Sequence, residues 1–213
     1  MIVWLASYPR SGNTFMRRAL REMGEQDASL YDDDKIDPTL PNLFIVDRDT
    51  FDADSRTYFV KTHALEDDDR QAIYIVRDGR DALVSHAHYV VDCEGTDKTY
   101  LEVLKMLIRG EYRPFATWSQ HVIFWLARKN RLTVRYEDMV RDIQHQTLRV
   151  SIYCGIKPRP IRIEFDKLHD GNPNFYRRGI VGAWKDEMPN NLQELFWEFH
   201  GDAMRSMNYG ANL

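Results

Sequence analysis

Cysteine is scarce in this chain: 213 residues hold two, Cys93 and Cys154. Two thiols this far apart make neither a disulfide framework nor a metal-ligand cluster, and they read as reduced thiols. Long apolar runs are missing too. The first stops after about six residues, short of a signal-peptide core, and no stretch nears the roughly twenty residues of a membrane span. Both absences lead us to expect a cytoplasmic protein with no membrane span. Positive charge is not in excess: 29 Lys and Arg face 33 Asp and Glu, for a net charge of −4. That balance excludes the broad basic footprint of a nucleic-acid binder. Basic residues gather locally instead, as Arg77/Arg80 and as Arg177/Arg178 with Lys185, a pattern suited to small anionic ligands.

What is present suits a globular protein. Hydrophobic residues make up 43% of the chain, with five Trp, enough to fill the core of one domain spanning 1–213. Short, nearly continuous apolar runs at 2–6, 58–62, 72–76 and 132–135 read as strands covered on both faces. Helical spacing predicts helices over 14–24, 79–91, 115–129, 137–154 and 191–207. Strands alternating with helices predict an α/β fold, a P-loop-like three-layer arrangement with a central parallel sheet flanked by helices. Residues 25–57, 92–98 and 169–190 fit neither pattern. The last of these is broken by Gly171, Pro173, Gly179, Gly182 and Pro189, and a long irregular segment of that kind suits a functional lid.

The chain opens on Val3-Trp4-Leu5-Ala6-Ser7-Tyr8-Pro9-Arg10-Ser11-Gly12-Asn13-Thr14-Phe15. A strand, a tight polar loop and a helix start make an anion site, because the first helical N–H groups are unpaired and carry partial positive charge. Arg10 adds a full charge, and Ser11, Asn13 and Thr14 add side-chain donors. The triphosphate loop G-x-x-x-x-G-K-S/T is absent: Asn13 follows Gly12, and no Gly stands five residues earlier.

Three further motifs sit where ligands of open α/β sheets bind, at strand ends or in the lid. Arg77 closes one strand and Ser85 stands about two turns into the next helix; Lys61-Thr62-His63 ends another strand; Tyr176-Arg177-Arg178-Gly179-Ile180-Val181-Gly182-Ala183-Trp184-Lys185 comes late. In this order the set resembles the cytosolic-type sulfotransferases that use 3′-phosphoadenosine 5′-phosphosulfate (PAPS). That family carries a YPKSGTTW-like loop, an R-x(7)-S element, a K-x-H strand end and an RKGxxGDWK segment. This sequence shows SYPRSGNTF, Arg77 to Ser85, KTH and RRGIVGAWK, and its short loops resemble a bacterial member.

The resemblance implies roles residue by residue. Arg10, Ser11, Gly12, Asn13 and Thr14 would hold the 5′-phosphosulfate, with Phe15 near the adenine. Arg77 and Ser85, joined by Arg177, Arg178 and Gly179, would bind the 3′-phosphate, a task that suits guanidinium forks. Tyr136 would contact the adenine, and Phe165 would wall the same pocket. His63 would be the general base that takes the acceptor's hydroxyl proton. Lys61 and Arg10 would stabilise charge on the sulfuryl group and the leaving phosphate, with no metal required. PAPS would be the co-substrate and 3′,5′-adenosine diphosphate (PAP) the product.

Departures matter as well. Arg10 stands where better-known members have Lys, which keeps the charge but makes a very poor proton donor. Ala183 replaces an Asp, and Phe15 a Trp. Arg77 and Arg80 could pair at the surface with Asp78 and Asp81, the reading preferred for Arg80; Trp184 and Lys185 read as lid structure, and Trp118, Val122 and Trp125 as core; His121 fits either a buried polar partner or the acceptor pocket. The acceptor would enter through 25–57 and 92–115, whose Tyr and Phe residues suit a small apolar or phenolic hydroxyl better than an amine or a polysaccharide. A P-loop phosphotransferase or nucleotide hydrolase, and a non-catalytic nucleotide-binding module, stand as alternatives.

Overall fold

The computed structural model describes residues 1–29, 56–112, 115–163 and 180–210. Five parallel strands form one sheet in the order β2-β3-β1-β4-β5. They are β1 (Ile2–Ser7), β2 (Gln26–Ser29), β3 (Tyr58–Thr62), β4 (Ala72–Val76) and β5 (Arg131–Arg135). Every residue of β1, β3 and β4 is buried, as their apolar runs require. Side chains alternate across the pleat, so one strand serves two cores. Ile2, Trp4, Ala6, Val60, Tyr74 and Val76 face one core. Val3, Leu5, Phe59, Ile73 and Ile75 face the other.

Helices cover both faces. One core receives α1 (Asn13–Glu22), α5 (Tyr136–Arg141) and α6 (Ile143–Cys154). The other receives α2 (Gly79–Tyr89), α3 (Tyr100–Arg109), α4 (Trp118–Ala127), the short α7 (Trp184–Glu187) and α8 (Asn190–Ser206). The three-layer expectation therefore holds. Trp118, Val122 and Trp125 are fully buried, as their spacing implied.

The structure departs from the sequence reading in several elements. Within 25–57, Gln26–Ser29 adds a fifth strand at the sheet edge, held by backbone pairing to β3. Such pairing asks for no apolar run, so no period marks the strand in the sequence. The 92–115 segment is not all loop. A π-helical turn, Val90–Glu94, extends α2, and α3 follows. α3 starts with a capping box in which Thr99 and Glu102 satisfy each other's backbone N–H groups. The single helix expected over 137–154 is two, divided at Asp142, whose carboxylate accepts from the His145 N–H and starts α6.

In sequence order the strands go from β1 to the edge strand β2, back to β3 beside β1, and then to β4 on the other side of β1. The connections reverse at β1, and ligands of such sheets bind beyond the strand C-termini at that point. The register sets Ala6 beside Thr62 and Ser7 beside Ile75. The loops after β1, β3 and β4 therefore leave the sheet side by side.

Candidate active site

The loop after β1 bends twice into left-handed backbone, at Arg10 (φ 65°) and Gly12 (φ 100°). Arg10 bears a cost there that glycine would not. At Gly12 a Cβ would lie 2.5 Å from the Tyr136 ring and 2.9 Å from the Met139 methyl, so only glycine lets the loop settle on the start of α5. Gly12 caps α1 without a side-chain hydrogen bond, and no acidic residue stands in the first turn. The helix start is thus left open to an anion. Ser11 adds a buried hydroxyl with no hydrogen-bond partner among the described residues, an orphan of the kind a ligand oxygen would satisfy.

Asn13 was expected to offer its side chain to the ligand, and the structure turns it inward. Its amide donates to the Leu5 carbonyl at 2.8 Å and to Ser7 Oγ at 3.1 Å. A short amide next to a strand end reaches the strand's last carbonyls first, so Asn13 stiffens the loop and contributes its backbone N–H at the helix start. Thr14 remains half-buried at that start. Phe15 is buried in the α1-side core with Tyr136 and Met139.

β4 delivers Arg77 beside this loop. Its Nη1 donates to the Arg10 carbonyl at 3.2 Å, its Nη2 to the Ile180 carbonyl at 3.1 Å, and its guanidinium stacks 4.4 Å from the Tyr136 ring centre. Its Nε is buried without a hydrogen-bond partner among the described residues. Ser85, on α2, accepts from Arg10 Nε at 3.3 Å. Residues expected at opposite ends of a nucleotide, Arg10 and Ser85, therefore touch. Burial and the neighbouring Arg77 charge pull the Arg10 guanidinium down to about 10, so it stays cationic at neutral pH. Tyr89 lies 5.1 Å from that guanidinium.

β3 delivers Lys61 and His63. Lys61 is buried. His63 keeps part of its surface open, with Nδ1 2.7 Å from the Ser7 carbonyl and 3.4 Å from Ser7 Oγ. A carbonyl only accepts, so Nδ1 carries the ring proton and Nε2 the lone pair. Desolvation by the surrounding protein, with the Lys61 charge behind it, holds the imidazole well below its ordinary range. His63 is neutral at pH 7 and able to take a proton.

Aromatic and imidazole rings crowd around it. Phe115 meets His63 edge-on at 5.6 Å and His86 at 6.4 Å; Tyr8 meets His86 at 5.7 Å and His121 at 6.1 Å; Tyr112 meets His86 at 5.8 Å. Burial pushes His86 and His121 down to about 3, so both are uncharged. His121 also reaches the Tyr74 hydroxyl at 3.3 Å, and so is a buried polar partner close to these rings.

Arg80 corrects the expectation of a surface pair. It does pair with Asp78, at 2.6 Å, but it is fully buried, stacks 3.8 Å from the Trp184 ring centre and donates to the Gly210 carbonyl. Its task is to tie α2 to the C-terminal segments. Lys185 is exposed. Phe165, Arg177, Arg178 and Gly179 lie outside the described residues, as do Tyr31, Phe44 and Phe51 of the expected acceptor loops. One residue here escaped the sequence reading and another was misread. Ser7 acts through its carbonyl, for which residue type is no signal. Asp81, read from the sequence only as a surface ion-pair partner, is instead buried in the first turn of α2, four residues after Arg77.

Comparison with known proteins bears on the fold and the family. Mouse sulfotransferase 1E1 is 24% identical over 94% of this chain and 82% of its own. A crystal structure of mouse sulfotransferase SULT7A1 complexed with PAP superimposes with a TM-score of 0.73, at 20% identity over 97% of this chain and 84% of that one. Retinol dehydratase in complex with androsterone and the inactive cofactor PAP gives 0.67, at 21% identity over 96% and 80%. The family model of the sulfotransferase domain matches residues 2–208, nearly the whole chain, which therefore belongs to the sulfotransferase family.

Proposed function

We propose that this sulfotransferase moves the sulfuryl group of PAPS to the hydroxyl of a small, uncharged acceptor, with His63 as general base. One observation carries the reading. His63 Nδ1 is fixed on the Ser7 carbonyl, at the end of the strand whose next loop is an open anion cradle. A strand end that serves both the base and the phosphate loop can align an acceptor oxygen with the group to be transferred.

PAPS, when bound, supplies the activated sulfuryl group. The 5′-phosphosulfate would lie on the α1 start and Ser11, the 3′-phosphate against Arg77 and Ser85, and the adenine toward Tyr136. His63 Nε2 takes the acceptor's proton as its oxygen attacks, and Lys61 and Arg10 balance negative charge on the departing phosphate. Arg10 acts through charge alone, since its guanidinium remains protonated. In-line alignment and charge are most of what such a transfer asks of a protein.

Neutral His86 and His121 with Tyr8, Tyr112 and Phe115 suit an apolar or phenolic alcohol over an anionic one, and androsterone, a neutral hydroxysteroid, is bound by one of the structural neighbours. The phosphotransferase alternative is disfavoured, because the position after Gly12 holds Asn13, turned into β1, and not a lysine reaching a terminal phosphate.

The test is turnover of sulfur-labelled PAPS across a panel of phenols and alcohols. His63→Ala should lose about 10²–10⁴-fold in kcat, the usual yield of a positioned base, and keep PAP affinity within about twofold. Full activity in His63→Ala, or magnesium-dependent ATP hydrolysis by the wild type, would overturn the reading.

A further inference from the structure

Three stretches distant in sequence meet at the start of α2. Arg77 joins two of them, holding the Arg10 carbonyl of the first loop with Nη1 and the Ile180 carbonyl of the late segment with Nη2. Asp81, one turn further along the helix, holds the same late segment from the other side. Its Oδ2 accepts from the Gly182 N–H at 2.7 Å and its Oδ1 from the Trp184 N–H at 3.0 Å. The carboxylate is 1% exposed, and its Oδ2 stands 3.9 Å from Arg77 Nη2. Both oxygens are occupied by backbone donors, so the aspartate is locked in place. It in turn restrains the cation beside it.

We propose that Asp81 is a positioning residue for the 3′-phosphate: it acts through Arg77 and the Ile180–Trp184 backbone to hold the guanidinium where the phosphate must arrive. This rests on Arg77 being the 3′-phosphate ligand. Arg77 Nε is buried and has no hydrogen-bond partner among the described residues, so the held guanidinium keeps one donor to offer. A flexible arginine loses rotamer freedom on binding a phosphate; one held in advance by Asp81, by two carbonyls and by the Tyr136 ring has already lost it.

Charge alone makes the opposite forecast. Asp81 is an anion near a site for an anion, so removing it should strengthen phosphate binding if only Coulomb attraction mattered. Positioning requires that removal weaken it. The sign of the effect therefore decides between the two.

The experiment is calorimetric titration of the full chain and of Asp81→Ala and Asp81→Asn with PAP and with 5′-AMP, which lacks the 3′-phosphate. Asp81→Ala should weaken PAP by about tenfold or more, the scale of a lost charged hydrogen bond, and leave 5′-AMP within about twofold. Asp81→Asn keeps one acceptor and should fall between, which preserves the test if the alanine variant does not fold. In turnover, KM for PAPS should rise in step while kcat at saturating PAPS stays within about twofold. Equal weakening of both nucleotides, as a purely structural residue would give, overturns the proposal, and so does unchanged or tighter PAP binding. A wild type that binds PAP and 5′-AMP equally would overturn the functional reading first, and this inference with it.

Discussion

Two adjacent strands of the same sheet, β1 and β4, each run through a tight turn into a helix, and the two turns are built in opposite ways. After β1, the helix start carries no side-chain cap, no acidic residue and a glycine in left-handed backbone. After β4, Asp78 accepts the Arg80 N–H at 2.9 Å and caps α2, Asp81 follows in the first turn, and Asp78 pairs with buried Arg80. The first helix start is left for an anion from outside; the second is already filled by the protein's own carboxylates. A strand–turn–helix unit is thus not an anion site merely by its shape. What separates the two is whether the first helical N–H groups have been given a carboxylate. In the function proposed here, the second turn would still serve an anion, through the charge of Arg77 beside it.

The comparison can be broken from either side. Removing the built-in anion of the second turn, Asp78→Ala, should have the largest effect, because one carboxylate both caps α2 and pairs with fully buried Arg80. A loss of about 3–5 kcal/mol is expected, read by denaturant unfolding; a loss below about 1 kcal/mol would mean that Asp78 does not support the turn. Arg77→Ala should weaken PAP by about 1.5–3 kcal/mol and spare 5′-AMP, which would confine the second turn's contribution to the 3′-phosphate. Giving the first turn what the second already has, Thr14→Asp, should stabilise α1 by about 0.3–1 kcal/mol and weaken 5′-AMP and PAP alike. Undiminished nucleotide binding in Thr14→Asp would show that the anion is held elsewhere.

Protons should act on neither turn near neutrality, since their phosphate-facing groups are guanidinium, hydroxyl and backbone N–H. The pH response belongs to the imidazoles. With His63 held below its ordinary range, the acid limb of kcat/KM should lie below pH 6.5. Buried His86 and His121 are lowered to about 3 and His200 to about 4. The unfolded chain takes up protons near 6.5 that the folded chain refuses, so their contribution to stability is whole above 6.5 and fades as the pH falls toward 4 and below. Each contributes about 1.4 kcal/mol per pH unit within that window. Stability that holds constant from pH 7 to 5 would contradict the burial of these rings.

Much of this was legible before the structure. β1, β3 and β4 match their apolar runs to within a residue, because strands buried on both faces must be apolar throughout. β2, Gln26-Asp27-Ala28-Ser29, was not legible, since an edge strand can form through backbone bonds that leave no period. α3 was missed although Thr99-x-x-Glu102 announces its start, and Asp142 hid a helix boundary inside what looked like one amphipathic run. At the proposed site, residues whose side-chain type carries the reading, Arg10, Lys61, His63, Arg77 and Ser85, stood out. Those that act through geometry did not. Nothing in the identity of Ser7 says that its carbonyl will set the His63 tautomer, and nothing in Asn13 says that its amide will turn toward Leu5. Arg80 looked like a surface cation because charge normally stays wet; the Asp78 pair and the Trp184 ring make its burial tolerable.

The central claim is that the open turn after β1 and Arg77 after β4 together recognise one nucleotide by both of its phosphate ends. Calorimetric titration of the wild-type chain with PAP, 5′-AMP and magnesium–ATP tests it most directly. Tight PAP binding, at least about tenfold stronger than 5′-AMP and indifferent to magnesium, is the predicted result. Equal affinity for PAP and 5′-AMP, or a preference for magnesium–ATP, would contradict it.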